Sequence, residues 1–173
     1  RPKNFYGLSK KINEDIAELF SLNFKLKIIG LRFFTIFGEW GRPDMLLIKF
    51  FQYAQLKKTF FINNMGNHYR DFSYIEDVNK ILYQLLKKEK FNKHKVYNIC
   101  PGKPLQLKKI INFLLKITNF KKIKKRKLNQ IEVLKTYGDN VLLKKTIGNF
   151  ETSNFKESVH KTYNWYLKYK KII

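Results

Sequence analysis

The residue pattern predicts an α/β fold. Stretches with apolar residues at three- and four-residue spacing alternate with short apolar runs, as helices and strands do in such proteins. The first of these runs, residues 27–34, is compact, rich in Ile, Leu and Phe and flanked by polar turns, the composition of a buried strand in a parallel sheet. Glycines and prolines fall between the runs, where turns are needed.

Along residues 6–24, Leu8, Ile12, Ile16, Leu19 and Phe20 mark one face of an amphipathic helix, and the 27–34 strand follows. Gly38, Gly41 and Pro43 make a turn-rich loop before a second helix over 45–56. Residues 58–62 read as a short strand and 66–74 as a loop. That loop leads into a helix over 75–86, striped by Ile75, Val78, Ile81, Leu82 and Leu85. A short strand is expected at 96–99. Pro101, Gly102 and Pro104 then precede a helix over 105–117, with Leu107, Ile110, Ile111, Leu114 and Leu115 on one side. The basic run 121–127 suits a solvated edge strand, where lysine blocks further pairing. A short helix near 140–147 and a longer one over 154–169, with Phe155, Val159, Tyr163 and Tyr166 on one face, complete the chain.

The 173 residues suffice for one ordinary domain, or part of a larger one. The formal net charge of +23 admits nucleic acid, an acidic membrane surface or a small anionic substrate, and charge alone does not choose among them. The lysines are scattered through every expected helix beside many Asn, Ile, Phe and Tyr, whose codons are rich in A and T, so compositional bias explains them better than a polyanion-binding face. The 121–127 run lacks interleaved aromatics, so no nucleic-acid partner is expected. Cys100 is the sole cysteine, which excludes an internal disulfide, and no Cys/His spacing suggests a metal site. His68, His94 and His160 lie far apart and read as ordinary core or surface residues. No apolar run has the length of a membrane span and the start does not resemble a signal peptide, so no membrane partner and a cytoplasmic location are expected. The opening at Arg1, inside what reads as a loop feeding a helix, suggests a piece of a longer chain.

Chemistry enters with Tyr6-Gly7-Leu8-Ser9-Lys10, which sets a tyrosine and a lysine on neighbouring turns of one helix face. A tyrosine hydroxyl ordinarily ionises near pH 10 and is a poor base at neutrality, whereas a nearby cation favours the phenolate. Lowering such a pKa to about 7 takes roughly 4 kcal/mol of differential stabilisation. Two close cations in a dry site supply energies of that order. The pair alone is weak, since Tyr53 and Lys57 repeat the spacing.

Its context is more specific. Leu31-Arg32-Phe33-Phe34-Thr35-Ile36-Phe37-Gly38-Glu39-Trp40-Gly41-Arg42-Pro43-Asp44-Met45 is followed by Tyr69-Arg70-Asp71-Phe72-Ser73-Tyr74-Ile75-Glu76-Asp77-Val78, then by Val96-Tyr97-Asn98-Ile99 and Trp165-Tyr166. With these motifs in this order, essentially the whole chain resembles the extended short-chain dehydrogenase/reductases, the NAD-dependent nucleotide-sugar epimerase and dehydratase family. Within that family it resembles the UDP-glucuronate 4-epimerases, which share the Phe-Phe-Thr, Gly-Arg-Pro-Asp-Met and Arg-Asp-Phe elements.

The resemblance implies the C-terminal part of a Rossmann-like enzyme with its small α/β substrate-binding domain. Residues 1–40 would be the last helix and strand region of the NAD-binding domain, and 41–173 mainly the substrate domain, with some elements returning to the first sheet. By the same resemblance, Tyr6 would be the general base that takes a proton from the sugar hydroxyl while NAD takes the hydride. Lys10 would hold the nicotinamide ribose and depress the tyrosine pKa, and Phe34 would sit beside the nicotinamide. Thr35 would contact the sugar or its phosphates. Arg42 would face a substrate carboxylate or phosphate, a role suited to its planar fork. Met45 and Leu46 would begin the nucleotide wall, and Phe60, Phe61 and Ile62 would lie along the uracil, with core packing the competing role for the two phenylalanines. Arg70 would grip the diphosphate. A UDP-sugar is the implied substrate and a homodimer the implied assembly, through a helix bundle that includes the tyrosine-bearing helix.

Three departures from the family pattern stand out. Gln130-Ile131-Glu132-Val133 replaces a Gln-Pro-Gly-Asp-Val loop. Glu39 stands where proline is common, a change expected to matter little on a loop. The glycine-rich phosphate loop and the catalytic Ser/Thr lie upstream in this family, and neither motif occurs in these residues. The reading is therefore a nucleotide-sugar 4-epimerase, converting UDP-glucuronate to UDP-galacturonate in its full-length form. A sister dehydratase or decarboxylase, an epimerase of neutral UDP-sugars, and an inactive or polyanion-binding chain are the alternatives.

Overall fold

The computed structural model describes residues 2, 4–88, 90, 94–127 and 133–170. Along the chain these form α1 (Phe5–Phe24), β1 (Ile29–Phe33), β2 (Thr35–Phe37), α2 (Leu46–Gln55), β3 (Phe60–Ile62), β4 (Tyr69–Arg70), β5 (Phe72–Tyr74) and α3 (Ile75–Lys88). There follow β6 (Lys95–Ile99), β7 (Leu105–Gln106), α4 (Leu107–Thr118), β8 (Ile123–Lys125), α5 (Val141–Ile147) and α6 (Phe155–Tyr169).

The helix ends are set by local chemistry. Asn4 caps α1 by accepting from the Gly7 amide at 2.8 Å, and Asn154 caps α6 by accepting from the Lys156 and Glu157 amides. Helix α3 carries Glu76 and Asp77 in its first turn and Lys87 and Lys88 in its last, matching the helix dipole. Asp77 also accepts from the Ser153 amide and hydroxyl at 2.8 and 2.7 Å, which ties the start of α3 to the approach to α6.

Three strand pairs are parallel, β1 with β6, β2 with β5 and β3 with β8, as crossover connections through helices require. The fourth, β4 with β7, is antiparallel. The strand expected over 27–34 is β1, and a second short strand, β2, follows it directly where none was expected. The Ile36 amide bonds to the Phe34 carbonyl at 3.0 Å, a tight turn centred on Thr35 that hands the chain from β6 to a new partner, β5. Nor is the first strand buried throughout: Ile29 and Leu31 pack on a core, while Arg32 and Phe33 are exposed. The stretch expected as a loop, 66–74, contains β4 and β5, whose two- and three-residue lengths are too short to show alternation.

Two buried clusters hold these elements. The larger joins α2, α4, α6 and β3 through Phe50, Phe51, Phe60, Ile111, Leu114, Val159 and Tyr166. Its aromatics meet edge-on or tilted, Phe50 on Phe60 at 5.0 Å and Phe51 on Tyr163 at 4.8 Å, the offsets that ring quadrupoles favour. The second sits against β1 and β6 and takes Val78, Ile81 and Leu85 from α3 with Leu143 and Ile147 from α5. Each fully buried Leu or Phe contributes about 1.5–3 kcal/mol.

Helix α1 has no buried residue, and Leu8, Ile12, Ile16, Leu19 and Phe20 each expose about half of their surface. Its link to the sheet is polar. Glu14 takes both the Nε and Nη2 of Arg32 on β1, each at 2.6 Å.

Candidate active site

Tyr6 and Lys10 stand one turn apart at the start of α1, both exposed, and Lys10 Nζ lies 5.3 Å from the centroid of the Tyr6 ring. The ammonium is within cation–π range of the ring. The Ser9 hydroxyl donates to the Tyr6 carbonyl at 2.8 Å, fixing this first turn.

Arg42 projects from the loop between β2 and α2. The loop leaves β2 at Gly38, whose φ of +143° and contact with Ile75 leave no room for a side chain. Two backbone bonds shape it, Gly41 amide to Gly38 carbonyl and Met45 amide to Arg42 carbonyl. Trp40 adopts a left-handed φ of 58° and packs on Trp165 and Tyr169 of α6 at 5.2 and 5.5 Å between ring centroids. Arg42 itself grips Asp44 with two bonds, Nε to Oδ1 at 3.0 Å and Nη2 to Oδ2 at 2.7 Å. Those bonds, then the Asp44 charge, raise the guanidinium pKa. Glu39, expected to matter little, instead receives the hydroxyl of buried Tyr74 at 3.1 Å; burial first, then this bond, push the tyrosine pKa up.

Thr35, Met45 and Leu46 line one crevice with Phe37, Ile48 and Phe72. The Thr35 amide donates to the Asp71 carbonyl at 3.0 Å, which joins this crevice to the strand bearing Arg70. Phe34 is half-buried and packs with Cys100 against Gly138, where an added Cβ would collide with both. Burial, then the Asp71 charge, raise the Cys100 thiol to about 12, which rules it out as a nucleophile at neutral pH.

Arg70 is half-buried and donates through Nη1 to the carbonyls of Tyr69 and Leu134, at 2.8 and 3.3 Å. Its neighbour Asp71, absent from the expected site residues, is fully buried and accepts from the Gly102 and Lys103 amides at 3.0 and 3.3 Å. Burial raises its carboxyl pKa despite these bonds. The one sequence signal was its place in the Arg-Asp-Phe motif.

Strand alternation separates the last group. Phe60 and Ile62 point into the core, while Phe61 is 41% exposed. The Arg126 guanidinium lies 3.7 Å from the Phe61 ring centroid, and the Arg126 amide bonds to the Ile62 carbonyl at 2.7 Å. Arg126 had been read only as part of the 121–127 basic run. In the Gln130 to Val133 loop, Gln130, Ile131 and Glu132 lie outside the described residues. Among the described residues no group of three or more His, Cys, Asp or Glu could hold a metal ion, and no helix is long and apolar enough to cross a membrane.

Residues 1–100 match the family model described as "NAD dependent epimerase/dehydratase family". The chain belongs to that family. It is 36% identical over 172 residues to an uncharacterised protein of Methanocaldococcus jannaschii, covering 98% of this chain and 52% of that one. It is 30% identical over 186 residues to UDP-glucuronate 4-epimerase 4 of Arabidopsis thaliana, covering 98% of this chain and 42% of that one. Among solved structures it superposes with a TM-score of 0.85 on a UDP-glucuronic acid 4-epimerase variant of Bacillus cereus in complex with UDP-4-deoxy-4-fluoro-glucuronic acid and NAD. That match is 25% identical and covers 97% of this chain and 54% of the other. The chain spans about half the length of the curated relatives it matches, and its α/β fold is that of the Rossmann-like extended short-chain dehydrogenase/reductases.

NAD is the cofactor of this family. Among the residues present, the donor set at the head of α1 is compatible with one end of it: the Lys10 ammonium offers three donors beside Tyr6, as a ribose diol would need.

Proposed function

We propose that the protein is an NAD-dependent nucleotide-sugar 4-epimerase that interconverts UDP-glucuronate and UDP-galacturonate. The observation that carries this reading is Lys10 Nζ 5.3 Å from the Tyr6 ring at the head of α1, in a chain of the NAD-dependent epimerase/dehydratase family. Base and cation thus stand together at the head of α1.

When bound, NAD supplies reversible oxidation of the sugar at C4. Tyr6 removes the proton of the C4 hydroxyl and later returns it, with Lys10 beside it to hold the ribose. Thr35 and Arg42 hold the sugar, with Arg42 offering its fork to the carboxylate. Arg70 binds the diphosphate. Met45 and Leu46 wall the nucleotide and Phe61 lies along the uracil, while Phe60 and Ile62 turn into the core. Holding the reacting carbon against the base converts a slow encounter into an intramolecular step.

Residues 1–40 belong with the NAD-binding domain in this reading, and 41–173 mainly with the substrate domain. Elements α3, β6 and α5, which build the second core against β1, are those that return to the first sheet. The half-exposed apolar stripe of α1 supports a homodimer whose helix bundle includes this helix.

The test is incubation of the full-length protein with NAD and UDP-glucuronate, followed by proton NMR of the sugar. Appearance of UDP-galacturonate supports the reading. A 4-keto-6-deoxy product from UDP-glucose, or a decarboxylated pentose from UDP-glucuronate, would assign a sister activity instead.

A further inference from the structure

Arg42-Pro43-Asp44 folds back so that the carboxylate of Asp44 fills the guanidinium fork of Arg42, at 3.0 and 2.7 Å. Pro43 between them has a fixed φ and holds the two side chains in register. The side chains expose 77% and 61% of their surface, so water screens the pair and its net strength is small. The bidentate Arg32 pair differs, because there Glu14 is only 16% exposed.

The loop does not depend on this pair for its shape. Gly38 sets its exit, the Met45 amide closes it onto the Arg42 carbonyl, and Trp40 anchors it to Trp165 and Tyr169 on α6. A left-handed φ at a tryptophan costs energy, and the two ring contacts offset it. Arg42 can therefore exchange partners on a backbone that stays in place.

We infer that Asp44 is a specificity-determining internal counter-ion, which occupies the Arg42 fork in the absence of substrate and yields it to the carboxylate of a sugar acid. This rests on the nucleotide-sugar reading above. A sugar carboxylate has the same charge and the same bidentate geometry as Asp44, so it can replace that group without loss of pairing. A neutral hexose presents hydroxyls, which do not displace a carboxylate from a guanidinium. Asp44 thereby lowers the affinity for acidic sugars and leaves that for neutral ones, which do not use the fork, as it is, and so sets selectivity as a difference of affinities.

Titration calorimetry on the full-length protein with NAD, at fixed ionic strength, compares UDP-glucuronate, UDP-glucose and UDP. Asp44→Asn is expected to tighten UDP-glucuronate about 2- to 5-fold, the range of an exposed ion pair, and to leave UDP-glucose and UDP unchanged. Arg42→Gln should weaken UDP-glucuronate and abolish the gain from Asp44→Asn in the double variant. Equal tightening of all three ligands would place the diphosphate, not the carboxylate, on Arg42 and overturn the inference. Weaker UDP-glucuronate binding by Asp44→Asn would also overturn it, since Asp44 would then be orienting Arg42. An unchanged affinity would do the same. Failure of the wild-type protein to bind any of the three would instead bring down the nucleotide-sugar reading, and this inference with it.

Discussion

Lys10 Nζ sits 5.3 Å from the centre of the Tyr6 ring, one helical turn along α1, and the Asn4 cap and the Ser9 hydroxyl fix the turn that holds them together. If this pair is the proton-transfer apparatus, Tyr6→Phe keeps the ring and loses the acid–base group. Turnover should fall at least about 100-fold, with affinity for UDP-glucuronate changed less than about 3-fold. Steady-state rates and calorimetry on the same preparation check both halves. Undiminished turnover would remove Tyr6 from the chemistry.

The Glu14–Arg32 pair anchors the same helix to β1. Arg32 hydrogen bonding, then its charge, hold the Glu14 carboxyl below its ordinary 4.5. A lowered carboxyl contributes stability that is present above the unfolded pKa and lost as pH falls through the folded one. Glu14→Gln should therefore cost about 0.5–1 kcal/mol near pH 7, discounted for the half-exposed Arg32, and progressively less below about pH 4.5. Thermal melts of both proteins across that range read the difference.

Asp71 should behave in the opposite sense. Burial raises its carboxyl above the ordinary 3.8, so the folded state holds the proton more tightly, and that contribution is lost as pH rises through the folded pKa. The stability of wild type relative to Asp71→Asn should shrink as pH climbs from below 4. Denaturant titrations at several pH values measure this, and a gap that widens with pH would show that the backbone amides outweigh burial.

Gly38 admits no side chain, since its φ of +143° is costly for any other residue and a Cβ would strike Ile75. Gly38→Ala should destabilise by about 2–4 kcal/mol, combining backbone strain with overpacking. A shift in the denaturant midpoint gives the value, and a neutral result would mean that the loop does not start at this glycine.

The helices were legible in the sequence because each spans enough turns for three- and four-residue spacing to repeat; α1, α2, α3, α4 and α6 all fall within a few residues of expectation. Short strands were legible only in part: β3, β6 and β8 fall where expected and others do not. Tyr69–Arg70 and Phe72–Tyr74 hold two and three residues, and Leu105–Gln106 was absorbed into the following helix. Residues that follow each other in motifs, such as Phe34 with Thr35 or Arg42 with Met45, stand out in the sequence as candidates. Contacts made by folding were missed: Arg126 reaches Phe61 only through the β3–β8 register, and Glu39 reaches Tyr74 only because β5 runs beside β2. For Phe60 and Phe61, whose packing composition left open, strand alternation buries the first and exposes the second.

The central claim is oxidation and reduction at a single carbon, C4, served by Tyr6. UDP-glucuronate carrying deuterium at C4, incubated with the full-length protein and NAD, tests it most directly. The account predicts UDP-galacturonate with the deuterium still at C4, seen by NMR and mass spectrometry. Product in which the label has washed out, or loss of the carboxylate as carbon dioxide, would contradict it.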